Sequence, residues 1–301
     1  LISSFLFANE KKFTFEIEPL LEIRNGKIGE YVFLINSPYN TDKLSYLEWE
    51  LSPNIIYGLN VNANYKDLVF SCGVAAAIPM SSGKLFDSDW LNIESYGNED
   101  RLYKTNFSIH ENQLNYNYSI HFDFGYNFTH NNFATFTPFV SFGFETYQFT
   151  GIDGYGQYGN SEGSFYYPYN DDINSYKVQY SGPVIKYNRK QFDLWIGNKV
   201  SFLFSKRFAF GGLSKIALFS SAQAIDNHLL TSYDFLDLPK DIFSGYNLEV
   251  CASLLISKKQ NINIKAGYLF TKPIRGINYG KSSTEDEFSL SAVEGGTDSN
   301  Y

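Results

Sequence analysis

Between residues 116 and 128 the chain alternates without a break. Tyr116, Tyr118, Ile120, Phe122, Phe124, Tyr126 and Phe128 fall on one parity, and Asn117, Ser119, His121, Asp123, Gly125 and Asn127 on the other. Period two puts these sets on opposite faces of a strand and excludes a helix, whose apolar positions recur every three or four residues. The alternation returns in residues 134–144, where Ala134, Phe136, Pro138, Val140, Phe142 and Phe144 share a face. It returns again in 262–270, with Ile262, Ile264, Ala266, Tyr268 and Phe270 together. Pro138 must then lie where the ladder tolerates a missing donor. A soluble sandwich would cover its apolar face with a second sheet, but this face is almost wholly aromatic and its opposite carries His121 and Asp123. Aromatic outside and polar inside is the pattern of an outer-membrane barrel.

The pattern predicts nine strands, near residues 13–35, 43–61, 68–80, 113–128, 134–150, 189–204, 208–224, 242–257 and 262–276. Short turns at 62–67, 129–132, 205–207 and 257–261 alternate with long Gly-, Asp- and Ser-rich stretches at 36–42, 81–112, 151–188, 226–241 and 278–300. Short connections on one side and long ones on the other belong to periplasmic turns and external loops. Single-chain bacterial barrels have even strand numbers. The expectation is therefore an all-β, transmembrane, antiparallel up-and-down β-barrel of ten strands, with the final strand missing from this sequence.

Composition narrows the class further. The 301 residues include 28 Phe, 24 Tyr and 3 Trp, yet mean hydropathy is negative. No apolar run approaches the roughly 18 residues of a membrane helix, so a helical membrane protein is excluded. With 24 Lys and Arg against 32 Asp and Glu, and no basic run, nucleic acid is not an expected partner. Residues 1–8 (LISSFLFA) read as the tail of a secretory signal with cleavage after Ala8, leaving 9–301 as the barrel. The two cysteines, Cys72 and Cys251, lie in strand-like runs far apart in strand order, and unpaired buried thiols are expected.

Two short motifs carry candidate chemistry. In Asp87-Ser88-Asp89-Trp90 the carboxylates at i and i+2 point to one side of an extended chain. Their repulsion raises one pKa unless a cation or a shared proton compensates, which suits a hydrolase that must hold and polarise a water. A solvated loop is the plain alternative. In Asp226-Asn227-His228 the same spacing lets a carboxylate orient an imidazole and support it as a general base. A surface histidine is the alternative there. His110, His121 and His130 lack this arrangement, although Asp123 lies two residues from His121. Both motifs fall at the long-loop end of the predicted barrel, and the histidines and acids are too dispersed for a zinc site.

The segments LSYLEWEL (44–51), SGKLFDSDWLN (82–92), QLNYNYSIHFDF (113–124) and FETYQFTG (144–151), followed by Asp-x-His after the seventh strand, resemble the omptin family of outer-membrane endopeptidases. The likeness runs from about residue 13 onward, and the D-x-D-W and Q-L-N-Y pieces are its specific parts. It implies a ten-stranded barrel in the bacterial outer membrane with an aspartyl protease site facing the exterior. Asp87 and Asp89 match the family's aspartate couple, and Asp226 and His228 its Asp-His dyad. A water between the pairs would attack the peptide carbonyl of external peptides or proteins, with no metal or other cofactor. Glu30, in NGKIGEYVF (25–33), matches an acid that helps bind the basic side chain before the cleaved bond. A second acid usual in the family falls at Ala224, which departs from the pattern and implies a changed preference. On the lipid-binding wall this chain has Thr146 where the family has a cation, leaving Arg189 and Lys190 to keep part of a site for outer-membrane lipid phosphate, the one activator expected. The third long stretch, rich in Tyr and Gly (151–172), implies an altered substrate surface. Two rivals stand beside this reading: a non-catalytic barrel acting as an adhesin, and a porin, the latter disfavoured by the narrow lumen of ten strands.

Overall fold

A computed structural model describes residues 13–35, 43–92, 103–131, 133–257, 260–282 and 284–301, so the signal remnant lies outside the described residues. They form strands β1 (Phe13–Leu34), β2 (Lys43–Tyr65), β3 (Leu68–Ala77), β4 (Met80–Asp89), β5 (Asn106–Tyr126), β6 (Phe128–Asn131), β7 (Ala134–Gly159), β8 (Ser161–Glu162), β9 (Phe165–Tyr166), β10 (Ser175–Gln179), β11 (Pro183–Leu203), β12 (Phe208–His228), β13 (Tyr233–Ile242), β14 (Gly245–Ser257), β15 (Gln260–Thr271), β16 (Ile274–Ser282) and β17 (Ser289–Asn300). Every pairing is antiparallel, as the alternation requires.

The barrel has two tiers. In the upper tier the order β1-β2-β4-β5-β7-β11-β12-β13-β16-β17 returns to β1, where Glu30 opposes Thr297. This closes a ring of ten staves. In the lower tier β3 replaces β4 between β2 and β5, and β14 and β15 replace β13 and β16. Residues 289–300, expected to be loop, are therefore the tenth stave of the upper tier, which corrects the prediction that the final strand is missing. Lower down, among the described residues, side chains span the seam between β15 and β1: Asn261 donates to Glu16 at 3.2 Å, Asn263 to Glu18 at 2.8 Å, and Lys265 pairs with Glu18 at 3.1 Å.

The tiers differ in which face is greasy. Below, Phe70, Tyr118, Phe122, Phe124, Phe142, Phe210, Leu254 and Ile264 point outward and are exposed, forming the apolar belt of a transmembrane barrel. The lumen at that level is polar, with Lys199 and Asp123 paired at 3.0 Å. Above, the outward positions are Glu48, Glu50, Lys84 and Glu111, while Leu47, Trp49, Leu51, Leu85 and Leu114 point inward and are buried. This inversion explains why the sequence reading cut strands short. The segments 81–89, 106–112, 233–242, 274–282 and 289–300 belong to strands that lie above the belt, so the aromatic signal stops while the strand continues.

An apolar core fills the upper barrel. Trp49 stacks on Phe149 and Tyr187 with centroids 5.5 and 5.6 Å apart, and Tyr147 stacks on Phe149 at 5.4 Å. Beneath lies a polar layer in which Arg24 pairs with Glu145 at 2.7 Å. The two cysteines are free and half-buried rather than fully buried. Replacing Trp49 with Ala opens a void at the centre of the stack and removes a donor to Glu30. The expected cost is about 3–5 kcal/mol, read as a lower denaturant midpoint for the refolded barrel.

Candidate active site

Above this core, two inward-facing pairs look at each other from non-adjacent staves. Asp226 and His228 end β12, on a continuous strand that starts in the belt. The ring Nε2 of His228 lies 2.6 Å from Asp226 Oδ2. A carboxylate there fixes the proton on Nε2 and leaves Nδ1 as the free base position. Phe235 packs edge-on against the imidazole at 5.3 Å. Tyr187, fully buried, is the cross-strand neighbour of Asp226 and separates it from the polar layer below.

Asp87 and Asp89 lie on β4, not at the start of a loop as the sequence suggested. Asp89 opposes Ser45 and Asn106, and its Oδ2 accepts a hydrogen bond from Asn106 Nδ2 at 3.1 Å. Asp87 opposes Leu47 and Ser108. Trp90, of the D-x-D-W motif, turns outward, with Lys43 4.3 Å from its ring.

The electrostatics tie the four residues together. Burial raises the Asp87 pKa well above the usual carboxylate value, and Asp89 beside it adds to the shift. Asp89 is also raised by burial, against hydrogen bonds from Ser45 and Asn106. Burial alone would lower His228, but Asp226, helped by Asp87 and Asp89, carries it up to about 9. Each member of the couple therefore lies near enough to the dyad to act on its charge.

Glu30 is fully enclosed, with Trp49 Nε1 donating to its Oε2 at 3.3 Å. Burial, then Asp226 and Asp237, push its pKa well up. Asp237 was not found from the sequence. It sits on β13 directly across from Ala224, so an acid on the neighbouring strand faces the cleft beside the position where one was missing. Gly295 leaves room for it, since a Cβ there would overlap the Asp237 carboxylate. Asn278 Nδ2 donates to Asp237 Oδ1 at 2.6 Å, yet burial still raises the Asp237 pKa to about 7.

A second unforeseen pair flanks Asp87. His110 Nδ1 lies 2.6 Å from the Asp153 carbonyl, which can only accept, so Nδ1 carries the proton. Nε2 then accepts from the Ser108 hydroxyl at 2.9 Å. Burial lowers the His110 pKa, consistent with a neutral ring. The i, i+2 spacing of Ser108 and His110 is present in the sequence, but a hydroxyl at that spacing carries no signal without the register that sets it beside Asp87.

Arg189 does not face lipid. Its guanidinium is buried in the lumen, donating to the Asp298 carbonyl at 3.0 Å and Ser299 Oγ at 2.7 Å, with Gln191 also bound. Consecutive strand residues point to opposite faces, so Arg189 and Lys190 cannot share the wall. Lys190 is the exposed one. Among the described residues no group of three or more His, Cys, Asp or Glu has the placement of a metal site.

The sequence model of the Omptin family matches residues 11–292. The chain belongs to the omptin family. Its structure is similar to the crystal structure of outer membrane protease OmpT from Escherichia coli, with a TM-score of 0.80 over 99% of this chain and 97% of that one. Sequence identity is 17%, so this likeness is one of fold. No curated protein sequence matches the chain. Within this omptin barrel the charge of His228 is the most direct readout of the site. Its imidazole is expected to titrate near pH 9, and Asp226→Asn to bring that value down towards or below 6.5, measured by NMR on side-chain-labelled histidine.

Proposed function

We propose that the chain is an outer-membrane endopeptidase of aspartic type, cutting peptide bonds of external peptides or proteins with an activated water. The observation that carries this reading is the 2.6 Å contact of His228 Nε2 with Asp226 in a cleft shared with Asp87 and Asp89. The belt supports an outer-membrane location, and the site lies at the end of the barrel away from the short turns, the exterior end in such proteins.

In this mechanism a water lies between the pairs. His228 Nδ1 takes one of its protons as the oxygen attacks the scissile carbonyl, forming a tetrahedral centre. Asp226 holds the ring and favours the imidazolium. The Asp87/Asp89 couple accepts hydrogen bonds from the water and orients it. The proton then passes from His228 to the amide nitrogen, the C–N bond breaks, and the resulting carboxylic acid gives up its remaining water proton to the amine, so that a carboxylate and an ammonium leave. All atoms come from peptide and water.

Glu30 and Asp237 support a preference for Arg or Lys before the cut bond. Their charged neighbours are acids, with no cation from the chain among the causes of either shift. A guanidinium or ammonium from the substrate would satisfy both by charge-assisted hydrogen bonds. Asp237 would thus take the place of the acid absent at Ala224.

His228→Ala is expected to lower kcat by about 10²–10⁴ in a folded barrel, read with a peptide library and mass spectrometry of product ends. Retained cleavage in that variant would remove His228 as the base, whereas a folded wild-type barrel that cuts nothing would favour an adhesin. Since the base must be neutral and its pKa is raised, kcat/KM should climb with pH with a midpoint above 6.5. Glu30→Gln with Asp237→Asn should reduce kcat/KM for Arg-containing substrates roughly ten- to a hundredfold, the worth of about 1.5–3 kcal/mol for bonds to charged groups, and spare substrates with neutral residues at that position.

A further inference from the structure

The proposed chemistry leaves one requirement unmet. Attack on the carbonyl creates an oxyanion in a cleft lined by Glu30, Asp87, Asp89, Asp226 and Asp237. His228 is the cation nearest to hand, and it is already committed to proton transfer. A carboxylate can donate to an oxyanion only while protonated, so an additional neutral donor would relieve the charge without cancelling that of the couple.

Such a donor faces the couple across β5. Tyr158 on β7 opposes Asn106, which in turn opposes Asp89, so the three share the inward face of one cross-strand rank. The next rank reads Asp87, Ser108, Gly156. The Tyr158 phenol folds back over Gly156, where a Cβ would collide with its hydroxyl and ring edge. Its oxygen is thereby carried from the rank of Asp89 into that of Asp87. The Asp87 and Asp89 charges are among those that act on this phenol, and burial first, then the Tyr180 hydroxyl, raise its pKa, so the proton stays on.

Tyr180 completes the pair. Its backbone N–H bonds the Gly154 carbonyl at 2.9 Å, its ring lies 5.4 Å from His110, and its hydroxyl is 2.6 Å from that of Tyr158. Two hydroxyls that share one hydrogen bond use one of their two protons. The other remains available for donation outside the pair, whichever oxygen carries it.

We infer that the Tyr158–Tyr180 hydroxyl pair is the neutral donor that binds the carbonyl oxygen of the peptide being cut, an assignment that rests on the endopeptidase reading above. Neither tyrosine would be needed as a base or nucleophile. The bond to the oxygen strengthens as charge develops, so the pair acts on kcat rather than on KM.

The test uses the refolded full chain and a peptide that the wild type cleaves, with His228→Ala as the inactive reference. Tyr158→Phe combined with Tyr180→Phe keeps both rings and removes both hydroxyls. The expected loss is about 100-fold in kcat, at the lower end of the range for one oxyanion donor, with KM within about threefold. Each single substitution breaks the pair but leaves one hydroxyl, and should lower kcat about tenfold. Gly156→Val, which drives the phenol off its seat, should lower kcat with both hydroxyls intact. A double variant with kcat within threefold of wild type overturns the assignment while leaving the endopeptidase reading in place. If the double variant does not refold, wild-type kcat in both single variants overturns it equally. A folded wild-type barrel that cuts nothing in the library removes the endopeptidase reading and this inference together.

Discussion

The barrel wall meets lipid on its outer face below and water on its outer face above, and the whole architecture depends on that change of solvent. Strands β1, β2, β5, β7, β11 and β12 run unbroken through the transition, with bulges at Arg24/Gly26 and Leu114/Tyr116. Only the side chains change sides. Below, the greasy residues face out and the lumen holds charges; above, the charges face out and the lumen becomes a core. The site can exist because the inward face above the belt is dry enough to hold Trp49, Phe149 and Tyr187 at or near zero exposure. A low-dielectric floor makes the charges set on it act strongly on one another.

That electrostatic setting accounts for the chemistry proposed. Asp87, Asp89, Glu30 and Asp237 all have raised pKa values with burial as the first cause, and His228 is raised because the acids outweigh its burial. One imidazole among five carboxylates is a proton reservoir coupled to its neighbours, and its titration belongs to the group rather than to one residue. The Ser108–His110 pair next to it is held neutral by contrast, through a backbone carbonyl and burial.

The lower tier was legible in the sequence because an aromatic belt over a polar lumen gives strong period-two contrast, as residues 116–128 show. The upper tier was not. In β17, SLSAVEGGTDSN, small and polar residues stand on both faces, and Gly295 to Ser299 are buried on either parity, so there is no alternation to read. Asp87, Asp89, Asp226 and His228 could be picked out because each pair is encoded within three residues. Asp237 and Tyr158 could not, since their meaning comes from register: Ala224 across from Asp237, and Asn106 across from Tyr158. Arg189 was placed on the wrong face although parity alone could have decided it, because Tyr187, Arg189 and Gln191 share one face with the buried core.

The stacked floor of Trp49, Phe149, Tyr147 and Tyr187 also decides the traffic of any chain that enters. With Arg24 and Glu145 locked beneath it, the cleft is a blind alley rather than a tunnel. A polypeptide cannot thread through such a barrel; it must dip in as a bend or a loose end, and both fragments must back out by the door they used. Whatever is cut there is released on the side from which it came.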